Sequence, residues 1–193
     1  ITALVVGLTV HEYAHAWSAF RLGDPTAYWA GRMSLDPRRH IDPLGALVFL
    51  VAGFGWARPV PIDPDRLGRR GALLVSLAGP GANILLAAIA GALVRLGVLP
   101  VGVLAFLVFF ASLNLMLAVF NLLPIAPLDG WRVLLGIVPA RTAQALAGVE
   151  RYSALVLIAL VVLGNVGGHS ILGTIIGVPV GILSRILLGP QLG

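Results

Sequence analysis

Apolar residues come in long runs along this chain, and the lengths of those runs are the first structural signal. Residues 1–22 are nearly all apolar up to His11, and Arg21 with Gly23-Asp24-Pro25 stops the run as a helix end. About 20 residues cross a bilayer as a helix, so this run is a candidate span. Residues 71–96 and 99–123 are two more, separated by Arg95, Gly97 and Pro100 and long enough to cross with some tilt. Residues 44–57 are apolar but short and Gly-rich, which fits a re-entrant or interfacial segment. Residues 152–163 and 170–188 are apolar again, divided by Gly164, Asn165, Gly167, Gly168 and His169. They read as a final span with a broken or partly re-entrant continuation.

The stretches between are polar and rich in breakers. Residues 24–43 contain Gly31, Pro37 and Pro43, and Thr26 to Leu35 predicts short strands at the membrane surface. Residues 58–70 read as a polar loop, because Pro59, Pro61 and Pro64 argue against helix. Residues 124–151 predict a Pro-containing turn, then a short amphipathic stretch around 128–138. The expected fold is an all-α polytopic membrane protein. It has about four to six transmembrane or re-entrant helices and a small surface β region between the first two apolar segments. Residues 1–193 are expected to form one membrane-embedded domain, with a catalytic core over about 1–135 and C-terminal membrane segments over about 150–190.

Composition agrees with the pattern. Of 193 residues, 59% are hydrophobic and 11% charged, against roughly 25% charged in an ordinary soluble domain. The mean hydropathy is +0.99. A soluble globular domain and a disordered chain are both excluded. The absence of cysteine excludes disulfides, thiolate metal sites and a cysteine nucleophile. The net charge is +5, and all 13 basic residues are Arg. They sit in the loops, where they set topology, and no nucleic-acid partner is expected. Segments 21–43, 58–70 and 124–151 hold all of them except Arg95 and Arg185. By the positive-inside rule those three segments face the cytoplasm.

The chemistry rests on His11-Glu12-Tyr13-Ala14-His15, an HExxH motif inside the first span. Four residues apart on a helix, two imidazoles point the same way and can reach one ion. The carboxylate beside them can act as base on a metal-activated water. With four His and two Glu in the chain, a chance match arises about once in a thousand such sequences. A catalytic zinc needs a third protein ligand and an open position. The candidates are His40, His169, Asp129, Asn83, Asn121 and Glu150. If 44–57 does not cross, the 71–96 span leaves the side of 58–70 and the 99–123 span returns to it. Asp129 then lies on the side of the His pair, with Pro124 and Pro127 to turn the chain inwards. His40 reads as a surface or interface residue, and His169 is expected to have no metal role. Trp17, Trp29, Trp56 and Trp131 read as interfacial anchors.

A family resemblance joins these pieces. The HExxH motif, followed by Asn121-Leu122-Leu123-Pro124-Ile125-Ala126-Pro127-Leu128-Asp129-Gly130, resembles the site-2 protease family of intramembrane zinc metalloproteases. Ala78-Gly79-Pro80-Gly81-Ala82-Asn83 and Gly55-Trp56-Ala57-Arg58-Pro59-Val60-Pro61 are similar to other stretches of that family. The resemblance covers roughly residues 1–135 and has the form of a minimal member, without PDZ-like or CBS-like domains. It implies one Zn2+ ion held by His11, His15 and Asp129, with Glu12 as catalytic base. It implies a multi-pass protein of the cell membrane, its active site nearer the cytoplasmic side, cutting single-span membrane proteins in the lipid bilayer. Asn121 and Asn83 are candidate substrate contacts, because an unwound substrate helix needs partners for its freed backbone groups. The alternative is a membrane metal-binding or transport protein with the same His and Asp ligands, which needs no Glu beside them.

Overall fold

A computed structural model of the chain describes residues 1–45, 57–163 and 171–189. Its helices are α1 (Thr2–Arg21), α2 (Thr26–Trp29), α3 (Pro64–Arg95), α4 (Val101–Asn121), α5 (Asp129–Ile137), α6 (Ala140–Ala147), α7 (Glu150–Leu163) and α8 (Ile171–Leu188), with a 3-10 turn at Pro37–Arg39. Residues 46–56, the bulk of the expected re-entrant stretch, lie outside the described residues. So does the break at 164–170 with His169.

Helix α3 starts earlier than the prolines suggested. The Asp63 carboxylate accepts from the backbone N–H of Asp65 and Arg66, and Pro64 takes the first helical position. A proline there costs nothing, because its missing N–H would have had no helical partner. Gly68, at φ 60° and ψ 178°, then kinks the chain before the apolar run. Helices α3 and α4 are long and apolar enough to cross a membrane.

The expected surface β region is not there. Residues 26–29 are helical, and among the described residues the only β feature is an isolated antiparallel bridge between Ile41 and Ala57. Side chains take the backbone groups that a strand partner would have used. Asp24 accepts from the N–H and hydroxyl of Thr26, and Asp36 caps the 3-10 turn by accepting from Arg38 N–H. Asp24 is fully buried and also accepts from Asp63 N–H at 2.7 Å, tying the end of α1 to the start of α3. Burial alone would raise the Asp24 carboxyl pKa. The Thr26 and Asp63 hydrogen bonds and the Arg66 charge outweigh it and hold the group below its ordinary value.

Helix α3 is the hub and packs against α1, α4, α5 and α8. Its buried face carries many small residues: Gly79, Ala87, Ala90 and Gly91 lie inside beside Val75, Asn83 and Val94, while Leu85, Ile89 and Leu93 face out. On α4, Ala111 and Ala118 are buried while Phe106 and Phe109 are exposed. Small-inside, large-outside packing suits lipid, where exposed apolar surface carries no penalty and close backbone approach provides the attraction. At Gly91 that approach is tight, because a Cβ would stand 2.7 Å from the Leu187 carbonyl oxygen of α8.

Candidate metal centre

Helix α1 brings His11, Glu12 and His15 into the protein, all buried. Helix α3 crosses them with Val75, Gly79 and Asn83, which share one face at four-residue spacing. Val75 carbonyl oxygen lies 2.7 Å from His15 Nδ1, and Asn83 Oδ1 lies 2.7 Å from His11 Nδ1. A carbonyl oxygen only accepts, so His15 donates from Nδ1, and in the neutral ring its Nε2 carries a lone pair. His11 is held in the same sense by Asn83. Gly79 between them has no side chain, and a Cβ there would press on His15 Nε2 and stand 2.7 Å from His11 Nε2.

The third group arrives from α5. Asp129 is the first residue of that helix, and the segment before it turns so tightly that a Cβ on Gly130 would run into the carbonyl oxygens of Leu122 and Leu123. At the other end of α5, the Arg69 guanidinium donates to the carbonyl oxygens of Leu135 at 2.6 Å and of Val138. Asp129 Oδ2 lies 3.1 Å from His11 Nε2 and 3.2 Å from His15 Nε2, and the two nitrogens are 3.0 Å apart. With both Nδ1 atoms donating, two neutral imidazoles present their Nε2 lone pairs to the Asp129 carboxylate, and a cation shared among the three atoms makes that arrangement favourable. Ligands about 2.0–2.1 Å from a tetrahedral zinc lie about 3.3–3.4 Å apart, close to the separations here. Among the described residues this trio is the group able to hold a metal ion.

The trio opens into a pocket of about 350 Å³. Leu8, Val60, Leu117, Phe120, Leu128 and Leu157 wall it with apolar surface, and Glu12, Asn121 and Arg132 add polar groups. Asn121 donates from Nδ2 to Leu117 carbonyl oxygen in its own helix. Asn83 differs from the substrate contact expected of it. It is fully buried, with Oδ1 on His11 and Nδ2 on Gly7 carbonyl oxygen and Asn114 Oδ1, so its amide is already occupied. His40 is buried rather than at the surface, with Nε2 against Ser34 carbonyl oxygen. Glu150 opens α7 and is exposed, apart from the trio. Trp17 and Trp29 are exposed as interfacial anchors would be, whereas Trp131 is buried and Trp56 lies outside the described residues.

Sequence reasoning missed Arg132 in the pocket wall and two buried polar residues around it. Asn114, fully buried in the middle of α4, had a signal: it is an amide inside an otherwise apolar span. Arg32 is nearly buried and donates to the Arg58 carbonyl oxygen. Burial lowers its guanidinium pKa, while the negative charge of Glu12 opposes that shift.

The family model for peptidase family M50 matches residues 96–164, the stretch that carries Asn114, Asn121 and Asp129. The chain is 39% identical over 173 residues to YwhC of Bacillus subtilis, covering 84% of this chain and 79% of that protein. The chain belongs to peptidase family M50. Rip2 of Mycobacterium tuberculosis is 34% identical over 176 residues, covering 87% of this chain and 68% of Rip2. Rip2 of Mycolicibacterium smegmatis is 31% identical over 170 residues, covering 84% and 66%. All three are named as zinc metalloproteases. No solved structure matches the chain. As an M50 peptidase this protein is a membrane metalloendopeptidase that uses zinc, and the metal-carrier alternative gives way to an enzyme.

Proposed function

We propose that this M50 peptidase hydrolyses peptide bonds of single-span membrane proteins within or beside the bilayer. In this reading His11, His15 and Asp129 are the zinc ligands and Glu12 is the catalytic base. The observation that carries it is the convergence of three acceptor atoms, 3.0–3.2 Å apart, in a pocket walled by apolar side chains. A zinc ion bound there would polarise the scissile carbonyl and lower the pKa of a water towards neutrality. Glu12 is buried and lines the same pocket as the trio without belonging to it, which suits its carboxylate to proton transfer. It takes a proton from the attacking water as the C–O bond forms and returns it to the leaving nitrogen as the C–N bond breaks.

A substrate helix satisfies its own backbone in lipid and must unwind before its carbonyl is exposed. Asn121 at the pocket wall supplies an amide for the groups released, since an amide both donates and accepts. Residues 1–193 act as one multi-pass catalytic unit in the cell membrane, with the active site nearer the cytoplasm. The uneven distribution of Arg supports that orientation. Arg69 engages α5, near Arg132, whereas Arg95 donates to Ile186 carbonyl oxygen, beside Arg185.

The test is reconstitution of purified protein with a model single-span substrate, comparing wild type with Glu12→Gln. The variant should bind one zinc per chain and lose cleavage, because a base is removed and no ligand is. Cleavage at the wild-type rate by Glu12→Gln overturns the mechanism. Cleavage of soluble peptides with none of the reconstituted span overturns the substrate class.

A further inference from the structure

Two buried amides, one behind the other, lead away from the metal centre across three helices. Asn114 on α4 donates from Nδ2 to Phe110 carbonyl oxygen at 2.8 Å. Its Oδ1 accepts from Asn83 Nδ2 on α3 at 2.8 Å. Asn83 Nδ2 also donates to Gly7 carbonyl oxygen on α1 at 3.1 Å, and Asn83 Oδ1 lies 2.7 Å from His11 Nδ1. Both asparagines are fully buried.

The direction of this chain is not a free choice. A side-chain amide placed between two partners can be turned either way, but a backbone carbonyl only accepts. Phe110 carbonyl oxygen therefore requires the NH2 of Asn114 on its side, which leaves Oδ1 facing Asn83. Gly7 carbonyl oxygen requires the NH2 of Asn83 on its side, which leaves Oδ1 facing His11. An oxygen at that place requires a hydrogen on His11 Nδ1, and the tautomer with that hydrogen has its lone pair on Nε2. Two backbone carbonyls on different helices thus dictate which His11 nitrogen faces the ion.

We propose that Asn83 and Asn114 are positioning residues that lock the tautomer and ring orientation of His11 for zinc. The inference rests on the reading of His11 as a ligand. Outer partners of this kind orient ligating imidazoles and raise their basicity. Asn83 also grips α1 at two points one turn apart, Gly7 and His11, which fixes the imidazole relative to its own helix. Asn114 holds Asn83 from the far side. Gly7 belongs to the same device: a Cβ there would stand 2.9 Å from Asn114 Oδ1 and 3.2 Å from Leu117 Cδ1.

The experiment measures zinc dissociation constants by chelator competition on the purified full chain in detergent, with apo-protein thermal stability recorded beside them. Asn83→Leu should weaken zinc binding about 10–100-fold. Asn114→Leu should weaken it less, because Gly7 carbonyl oxygen still orients Asn83. The double variant should bind about as weakly as Asn83→Leu alone, since the relay is already broken. Gly7→Ala keeps every hydrogen-bonding group but displaces Asn114 Oδ1, and it should weaken binding by a few-fold to about tenfold. It also carries the test if Asn114→Leu does not fold. Wild-type zinc affinity in Asn83→Leu, or in both Asn114→Leu and Gly7→Ala, overturns the proposal. So does a fall in apo stability in these variants with no change in affinity, which would make the amides interhelical ties alone. His11→Ala separates the two readings: if zinc binding survives that change, it is the ligand assignment that fails.

Discussion

Gly79→Ala is the sharpest perturbation the geometry offers. In the interior of a helix, Gly→Ala ordinarily stabilises by about 0.5–1 kcal/mol, because alanine loses less backbone freedom. At position 79 the added Cβ would stand 2.7 Å from His11 Nε2, where ordinary contact begins near 3.4 Å. The shortfall is about 0.7 Å, and it is larger at His15 Nε2. Zinc–ligand distances tolerate about 0.2 Å. Both imidazoles must therefore move several times further than the coordination allows, and the ion loses two ligands together. Zinc affinity should fall by more than the roughly 100-fold at the upper end of outer-partner changes, with cleavage lost, and the apo protein should lose up to about 1–3 kcal/mol from overpacking against the two held rings, offset in part by the helix gain. Gly81→Ala is the control on the same helix, since nothing lies within 4 Å of its Cβ. It should keep both zinc and activity. The assay is chelator competition with cleavage of a reconstituted span. Wild-type zinc affinity in Gly79→Ala would refute the placement of the ion between α1 and α3.

Asn121→Ala should keep zinc and lose much of the cleavage rate, and Gly or Pro near the scissile bond of the substrate should offset part of that loss; normal cleavage, or joint loss of zinc and fold, would make Asn121 structural. Arg66→Cys and Arg141→Cys, in a chain without native cysteine, should label only from the cytoplasmic side, and labelling from opposite sides would refute the topology. Asp24 has a folded pKa below its ordinary 3.8, so its contribution to stability is present above that value and is lost as the pH falls through the lower folded value. Acid titration of thermal stability should therefore show a flatter low-pH limb in Asp24→Asn, and an unchanged limb would assign the acid loss to other carboxylates.

Much of this protein was legible because local signals and global fold agree. The spans at 71–96 and 99–123 announced themselves by length and hydropathy and appear as α3 and α4. The amphipathic stretch at 128–138 appears as α5. The surface strands failed because Asp24 and Asp36 satisfy local N–H groups from their side chains, which no alternation of polar and apolar residues reveals. The loop over 58–70 failed in part because the meaning of a proline depends on its position, and Pro64 sits at a helix start.

The sequence by itself determined the membrane class, the imidazole pair with its carboxylate and the family, because four-residue spacing on a helix and a long apolar run are local facts. The surroundings of Asn83 were decided only by tertiary structure. As a residue in a span it was as good a substrate contact as Asn121. Packing α1 against α3 and α4 occupied its oxygen with His11 and its nitrogen with Gly7 and Asn114. The need for glycine at 79 likewise exists only where α3 crosses the two imidazoles. Hydrogen bonds and close contacts between helices depend on which faces meet, and that is settled by the packing of every span at once, not by any stretch of chain alone.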